Sequence, residues 1–235
     1  MLDINGALKA VGYGLLVLFF TVGVVKTCGS LAEVKRPETA LKLFLRFVLA
    51  KAAVAYGLDL MTALFSVAQG MVSTVLAESG LAGSGGVSLP QDVIDKINQV
   101  GFWDSIPLWA VTLLGGLFIT VLSFVMILTV YGRMFKLFIF AAIAPVPLSS
   151  FAGEPTGSVG KNFLRSYAGV CLEGVVIALA CVIFSAMAAA PPAVDPNASA
   201  VTAVWDYVVE IIFNLLVLVG AVKMSDRIVK ELLGL

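Results

Sequence analysis

Long apolar stretches separated by short charged blocks organise this chain. Between Lys9 and Lys26 lie 16 uncharged residues, Ala10 to Val25. That is slightly short for a hydrocarbon core about 30 Å thick, but a lysine at either end can snorkel outward, so a first span is predicted over about 8–26. A secretory signal peptide competes for this stretch because small residues surround Cys28 and Gly29. Asp3 precedes the lysine, however, and the apolar run is long for a leader, which favours a retained span. The next apolar region, 52–76, is interrupted only by Asp59. Ahead of it, Lys42 and Arg46 share one helix face while Leu41, Phe44, Leu45 and Val48 supply an apolar one, predicting an interfacial helix over 38–51.

The clearest span is Ile106 to Tyr131, 26 residues without a charge. After Arg133 and Lys136 comes an uncharged stretch, 137–153, broken at Ala144-Pro145-Val146-Pro147. Two prolines this close remove backbone donors and clash with the preceding turn, so 137–153 is predicted to be a re-entrant, proline-broken element. Further spans follow at 166–190, closed by Pro191-Pro192, and at 205–223. The loop between the second and third spans opens with Gly80, Gly83, Gly85 and Gly86. Ser88-Leu89-Pro90-Gln91 then fits a helix start, predicting a short amphipathic helix over about 89–100.

Charge placement orients these elements, because lysine and arginine collect on the cytoplasmic side. If all six apolar segments cross, the loop holding Lys161 and Arg165 falls outside together with the C-terminal tail. If 137–153 enters and leaves by one face, five spans remain, and 13 of the 15 basic residues lie inside, with only Lys9 and Lys96 outside. The proline pair and the charge distribution agree on the second arrangement. The expected fold is therefore an all-α polytopic membrane bundle forming a single transmembrane domain over 1–235. It has five transmembrane helices plus one re-entrant element, with the N-terminus outside and the C-terminus in the cytoplasm.

Composition supports the class and narrows the chemistry. Apolar residues make up 60% and charged residues 13%, with a mean hydropathy of +1.04. An ordinary soluble domain has about 45 to 50% apolar and about 25% charged residues. Fifteen basic and fifteen acidic residues cancel, so no net basic field gathers nucleic acid. With no histidine, imidazole bases and histidine metal sites are excluded. Cys28, Cys171 and Cys181 stand singly and read as small buried hydrophobes. Neither a cofactor nor a metal is implied, and no nucleophile is recognisably paired with a base, which argues against an enzyme.

Charged groups inside apolar segments are the remaining candidates. Asp59 lies seven residues into its span, and Glu173 lies eight after Arg165. They read either as ion or proton ligands or as carboxylates satisfied near the cytoplasmic face, Asp59 by Lys51 or a neighbouring subunit and Glu173 by Arg165 or Lys161. Asp206 and Glu210, four apart on one helix face, are interface anchors or a cation attractor. Gly115-Gly116, Ala141, Ala142, Ala144 and the run from Ala186 to Ala190 offer surfaces for close helix approach.

The least ordinary stretch is Tyr131-Gly132-Arg133-Met134-Phe135-Lys136 through Ala144-Pro145-Val146-Pro147, followed by Gly160-Lys161-Asn162-Phe163-Leu164-Arg165-Ser166-Tyr167. A basic rim leads into a proline break and out through a second basic rim. This block, 131–173, resembles the middle of the TrbL-type conjugal-transfer proteins, polytopic subunits of type IV secretion systems. Within that group it is most similar to the short forms of Gram-positive mobile elements, over roughly residues 10 to 230. The resemblance implies a non-enzymatic, multimeric channel or scaffold subunit in the cell membrane. It also implies other channel subunits and secretion ATPases as partners, with transient contact to transferred DNA–protein substrate. Arg133, Lys136, Pro145, Pro147, Lys161 and Arg165 are then the residues to watch. A small secondary transporter using Asp59 and Glu173 is the alternative.

Overall fold

The computed structural model describes residues 2–27, 37–79, 105–187 and 199–235, with Ile94, Asp95, Asn98 and Gly101 as isolated positions. The elements are α1 (Leu2–Thr27), α2 (Pro37–Ala55), α3 (Gly57–Glu78), α4 (Ser105–Ile143), α5 (Pro145–Ser149), a 3-10 turn (Ser150–Ala152), α6 (Gly157–Met187) and α7 (Ala200–Leu233). Five of them, α1, α3, α4, α6 and α7, are long and apolar enough to cross a membrane. The protein is a multi-pass membrane protein with an all-α, polytopic architecture. The amphipathic helix expected over 89–100 lies outside the described residues apart from Ile94, Asp95 and Asn98, which are helical. Cys28 and the end of the run at Ala188–Ala190 also lie outside them.

Several boundaries differ from the sequence reading. The second span starts at Gly57 because a bend at Tyr56 separates it from α2, which continues four residues beyond Lys51. Asp59 therefore sits in the first turn of α3 rather than two turns deep, and its side chain is exposed. A carboxylate there complements the positive end of the helix dipole. α4 runs for 39 residues without interruption through Arg133 and Lys136 to Ile143. The stretch 137–143 is thus the end of a long helix and not the start of a separate element. Backbone angles stay right-handed helical through Ala144 and Ser150, and the chain turns extended only at Gly153. The prolines kink the helix and do not reverse it.

Contacts group the chain into two compact units. The first comprises Met1–Met71, Arg133–Gly174 and Ile228–Leu235; the second comprises Val72–Gly132 and Val175–Arg227.

The first unit is built around the kinked segment. α5 and the 3-10 turn pack against both α1 and α2. Ala144, Leu148 and Ser149 are fully enclosed, and Pro145, Ser150 and Ala152 nearly so. α1 meets them along one stripe, Asn5, Gly12, Leu16 and Gly23, whose helical spacing keeps these positions on a single face. A Cβ at Gly12 would lie 2.9 Å from the Pro145 carbonyl oxygen, and one at Gly23 would lie 3.2 Å from Gly153 Cα. Glycine at both positions lets backbone pack directly on backbone. Phe20 on α1 and Phe47 on α2 close the same side, with ring centroids 4.7 Å apart. Across the core, the Tyr167 hydroxyl donates to the Met61 carbonyl at 2.9 Å.

Pro145 has no N–H, so it cannot donate to the carbonyl of Ala141 four residues earlier. Asn5 replaces it: Nδ2 donates to Ala141 O at 2.9 Å and lies 3.5 Å from Ala142 O. The Asn5 side chain is 2% exposed. An amide in an otherwise apolar helix is thereby satisfied by the group the proline leaves open.

In the second unit, Gly115 is buried where α4 meets Val208 of α7; a Cβ there would overlap the valine Cγ1 methyl. This is the close approach expected of Gly115, whereas Gly116 is exposed with nothing near it. Ser199 caps α7, its Oγ accepting from the Thr202 amide at 3.3 Å.

The Asn5 bond is open to a double-mutant cycle. Asn5→Ala in the parent should lower stability by about 1 kcal/mol, the usual scale for a hydrogen bond between membrane helices. In a Pro145→Ala background the new amide can serve Ala141 itself, so the same substitution should cost clearly less. Melting in nanodiscs measures both; equal costs would show that Asn5 acts independently of the proline.

Candidate functional site

The proline-kinked segment and its basic rims form the candidate site, and the structure distributes their residues unevenly. Pro145 is buried and Pro147 half-buried, both within the packed core of the first unit. Lys136 is exposed on α4, and Lys161 and Arg165 are exposed on the first turns of α6. The proline-kinked segment is thus itself enclosed by protein. That enclosure meets the requirement that backbone opened by proline within a bilayer be satisfied internally. The side chains inside it also form local bonds, with Ser149 Oγ donating to Val146 O at 2.6 Å and Ser150 Oγ to Pro147 O at 2.7 Å. Thr156 Oγ1 returns to Ser150 O at 2.9 Å and fixes the loop into α6.

Arg133 is brought against the helix position next to Glu173 in the first unit. The Arg133 guanidinium lies against α6 at Gly174, where an added Cβ would sit 2.6 Å from Cζ and overlap Nη1 outright. Glycine therefore leaves the space that the cation occupies, one residue from Glu173. Glu173 is 4% exposed and partnered, and its Oε2 and Arg133 Nε are both shut off from solvent. Arg165 stands eight residues earlier on the same helix, about 12 Å along its axis, and Lys161 is farther still. Cys171, one turn before Gly174, is buried, Cys181 is half-buried, and both are free thiols.

The remaining candidates do not join this cluster. Asp59 is exposed, with no ion pair to Lys51 among the described residues. Asp206 and Glu210 belong to the second unit and are both exposed, while Ala203, Val204 and Tyr207 beside them are buried. Sequence reasoning missed three contributors: Asn5, Gly174, and the Arg46–Glu154 ion pair at 3.7 Å. For Asn5 a signal was available, since a lone amide continues the Gly12, Leu16, Gly23 stripe. No group of three His, Cys, Asp or Glu side chains that could hold a metal ion occurs among the described residues.

Gly174→Ala should displace the guanidinium and cost about 1 to 3 kcal/mol, as overpacking in a core usually does. In an Arg133→Ala background the added methyl has room, so the cost should fall below about 1 kcal/mol. Thermal melting of the four proteins decides this, and an undiminished cost would mean that the glycine serves some other contact.

Comparison with curated proteins and with solved structures yields no match. A family described as TrbL/VirB6 plasmid conjugal transfer like protein matches residues 16–145, ending at the first proline of the kink. The second basic rim, Lys161 to Tyr167, lies beyond the matched region. The match runs from Leu16, on the packing stripe of α1, through the whole of α4, and it covers more than half of the sequence. By its sequence the chain is a member of the TrbL/VirB6-like family of conjugal-transfer membrane proteins.

Proposed function

We propose that this protein is a channel or scaffold subunit of a conjugative type IV secretion system, helping to move DNA–protein substrate across the cytoplasmic membrane. The observation that carries this reading is the family match over residues 16–145 in a chain with five membrane-length helices. On this reading the subunit works as a homo-oligomer, beside other channel subunits and secretion ATPases. It contributes shape and contacts and performs no chemistry of its own.

The proposed orientation places the N-terminus outside and the C-terminus in the cytoplasm, as the distribution of basic residues favours. The kinked segment packs against α1 and α2, and in the oligomer it shapes an entrance. Five crossings then leave Ser158 inside and Ser199 outside. Both serines are exposed, so cysteines placed there, in a background lacking Cys28, Cys171 and Cys181, are accessible to reagent. Only the cysteine at 199 should react with an impermeant thiol reagent applied to intact cells. Labelling at 158 under the same conditions would overturn the orientation.

Transfer itself is tested by the Pro145→Ala, Pro147→Ala double variant. Without the kink, α4 continues straight, and Leu148, Ser149 and Ser150 must leave their enclosed positions. Conjugation frequency should fall roughly tenfold more than membrane abundance, because the loss is one of shape and not of insertion. Normal transfer at normal abundance would show the break to be incidental. Secondary transport through Asp59 and Glu173 is the competing reading, and the exposure of one acid beside the enclosure of the other gives it little support. It would be revived if well-folded Asp59→Asn or Glu173→Gln proteins lost a proton-coupled flux.

A further inference from the structure

A cleft of about 530 Å³ opens in the first unit where α2 meets the loop before α6. Leu49 and Ala53 of α2 and Phe151 of the 3-10 turn give it apolar walls, while Arg46, Glu154 and Lys161 supply charge. The first turn of α6 adds Gly157 and Ser158. Arg46 Nη2 stands 3.7 Å from where a Cβ would lie on Gly157, so a guanidinium sits directly over the start of a 31-residue helix. That helix carries no acidic residue in its first turn. Two full cations and a positive helix end therefore share one cleft with a single carboxylate. Glu154 is itself 56% exposed and reaches Arg46 only at 3.7 Å. Two cations lining one cleft, with walls that exclude part of the surrounding water, favour an anion between them.

The surroundings indicate which anion. Leu41, Phe44, Leu45, Val48 and Leu49 leave α2 with a continuous exposed apolar face beside Lys42 and Arg46. A helix of this kind in a multi-pass membrane protein lies in the plane of the interface, at the depth of lipid headgroups. We propose that the cleft binds the phosphate of an anionic membrane lipid. Arg46 and Lys161 hold the phosphate oxygens, and the glycerol and first acyl carbons run along Leu49, Ala53 and Phe151. The apolar walls favour a phosphate carrying acyl chains over the phosphate of a nucleic acid. This site is separate from the proposed role in transfer and stands or falls without it.

The full-length protein, purified in a neutral detergent, is titrated with dioctanoyl phosphatidylglycerol, dioctanoyl phosphatidylcholine, inorganic phosphate and a short single-stranded DNA while its melting temperature is followed. Phosphatidylglycerol should raise the melting temperature in a saturable way, with phosphatidylcholine giving no comparable shift. Inorganic phosphate should need at least tenfold higher concentration. Arg46→Gln, Lys161→Gln should weaken the lipid response roughly thirtyfold, since it removes both basic groups that hold the phosphate. Lys42→Gln, Lys51→Gln, which removes the same charge away from the cleft, should leave it within about twofold. Ser158→Glu guards against a simple folding defect: it puts a carboxylate at the helix start, so this protein should melt at or above the parent temperature and yet lose the lipid response. The proposal is overturned if both double variants lose the response alike, or if Ser158→Glu responds as the parent does. It also fails if phosphatidylcholine or inorganic phosphate matches phosphatidylglycerol, or if DNA displaces the lipid at lower concentration than the lipid binds.

Discussion

The carbonyl of Ala141 is the point on which the first unit turns. Pro145 deprives it of its helical donor, and Asn5 supplies one from a helix 136 residues away in the chain. In a membrane protein an open carbonyl is costly because lipid offers no replacement. The kink is therefore affordable only where α1 lies alongside, and α1 can come close only because Gly12 and Gly23 present no side chain to Pro145 and Gly153. Once α1 is placed, the enclosure of Leu148, Ser149 and Ser150 follows, and with it the position of α2. A single amide thus links the proline break, the glycine stripe and the core.

Much of this architecture was legible in the residues, and the failures have a common cause. Hydropathy is a local property, so the five membrane-length segments and the interruption at Ala144 to Pro147 could be read directly. Charge was a poorer guide to where helices end. Arg133 and Lys136 mark where a helix leaves hydrocarbon, but they do nothing to the backbone, and α4 continues through them to Ile143. The same holds at Lys51, which α2 passes before it bends at Tyr56. Asp59 was placed too deep for this reason. The partners of buried polar groups were least visible, because Asn5 with Ala141 and Arg133 with Gly174 are meetings between distant parts of the chain.

The buried cluster around Glu173 shows how a charge in an apolar helix can serve structure. Gly174 removes one side chain, and Arg133 fills the space with a cation one residue from Glu173. Membership of a family of conjugal-transfer membrane proteins fits a chain whose unusual residues are spent on shape. Its proline pair, the glycines of α1 and Asn5 fix backbone geometry.

The bond from Asn5 to Ala141 also constrains the birth of the protein. A ribosome makes Asn5 on the order of ten seconds before Ala141, at ordinary rates of synthesis. During that interval the first helix already carries its amide, yet the carbonyl that will receive it does not exist. The insertion machinery, water or a transient neighbour must hold the amide until the kinked segment emerges. α1 is thus made before its partner exists, and its docking waits for the kinked segment.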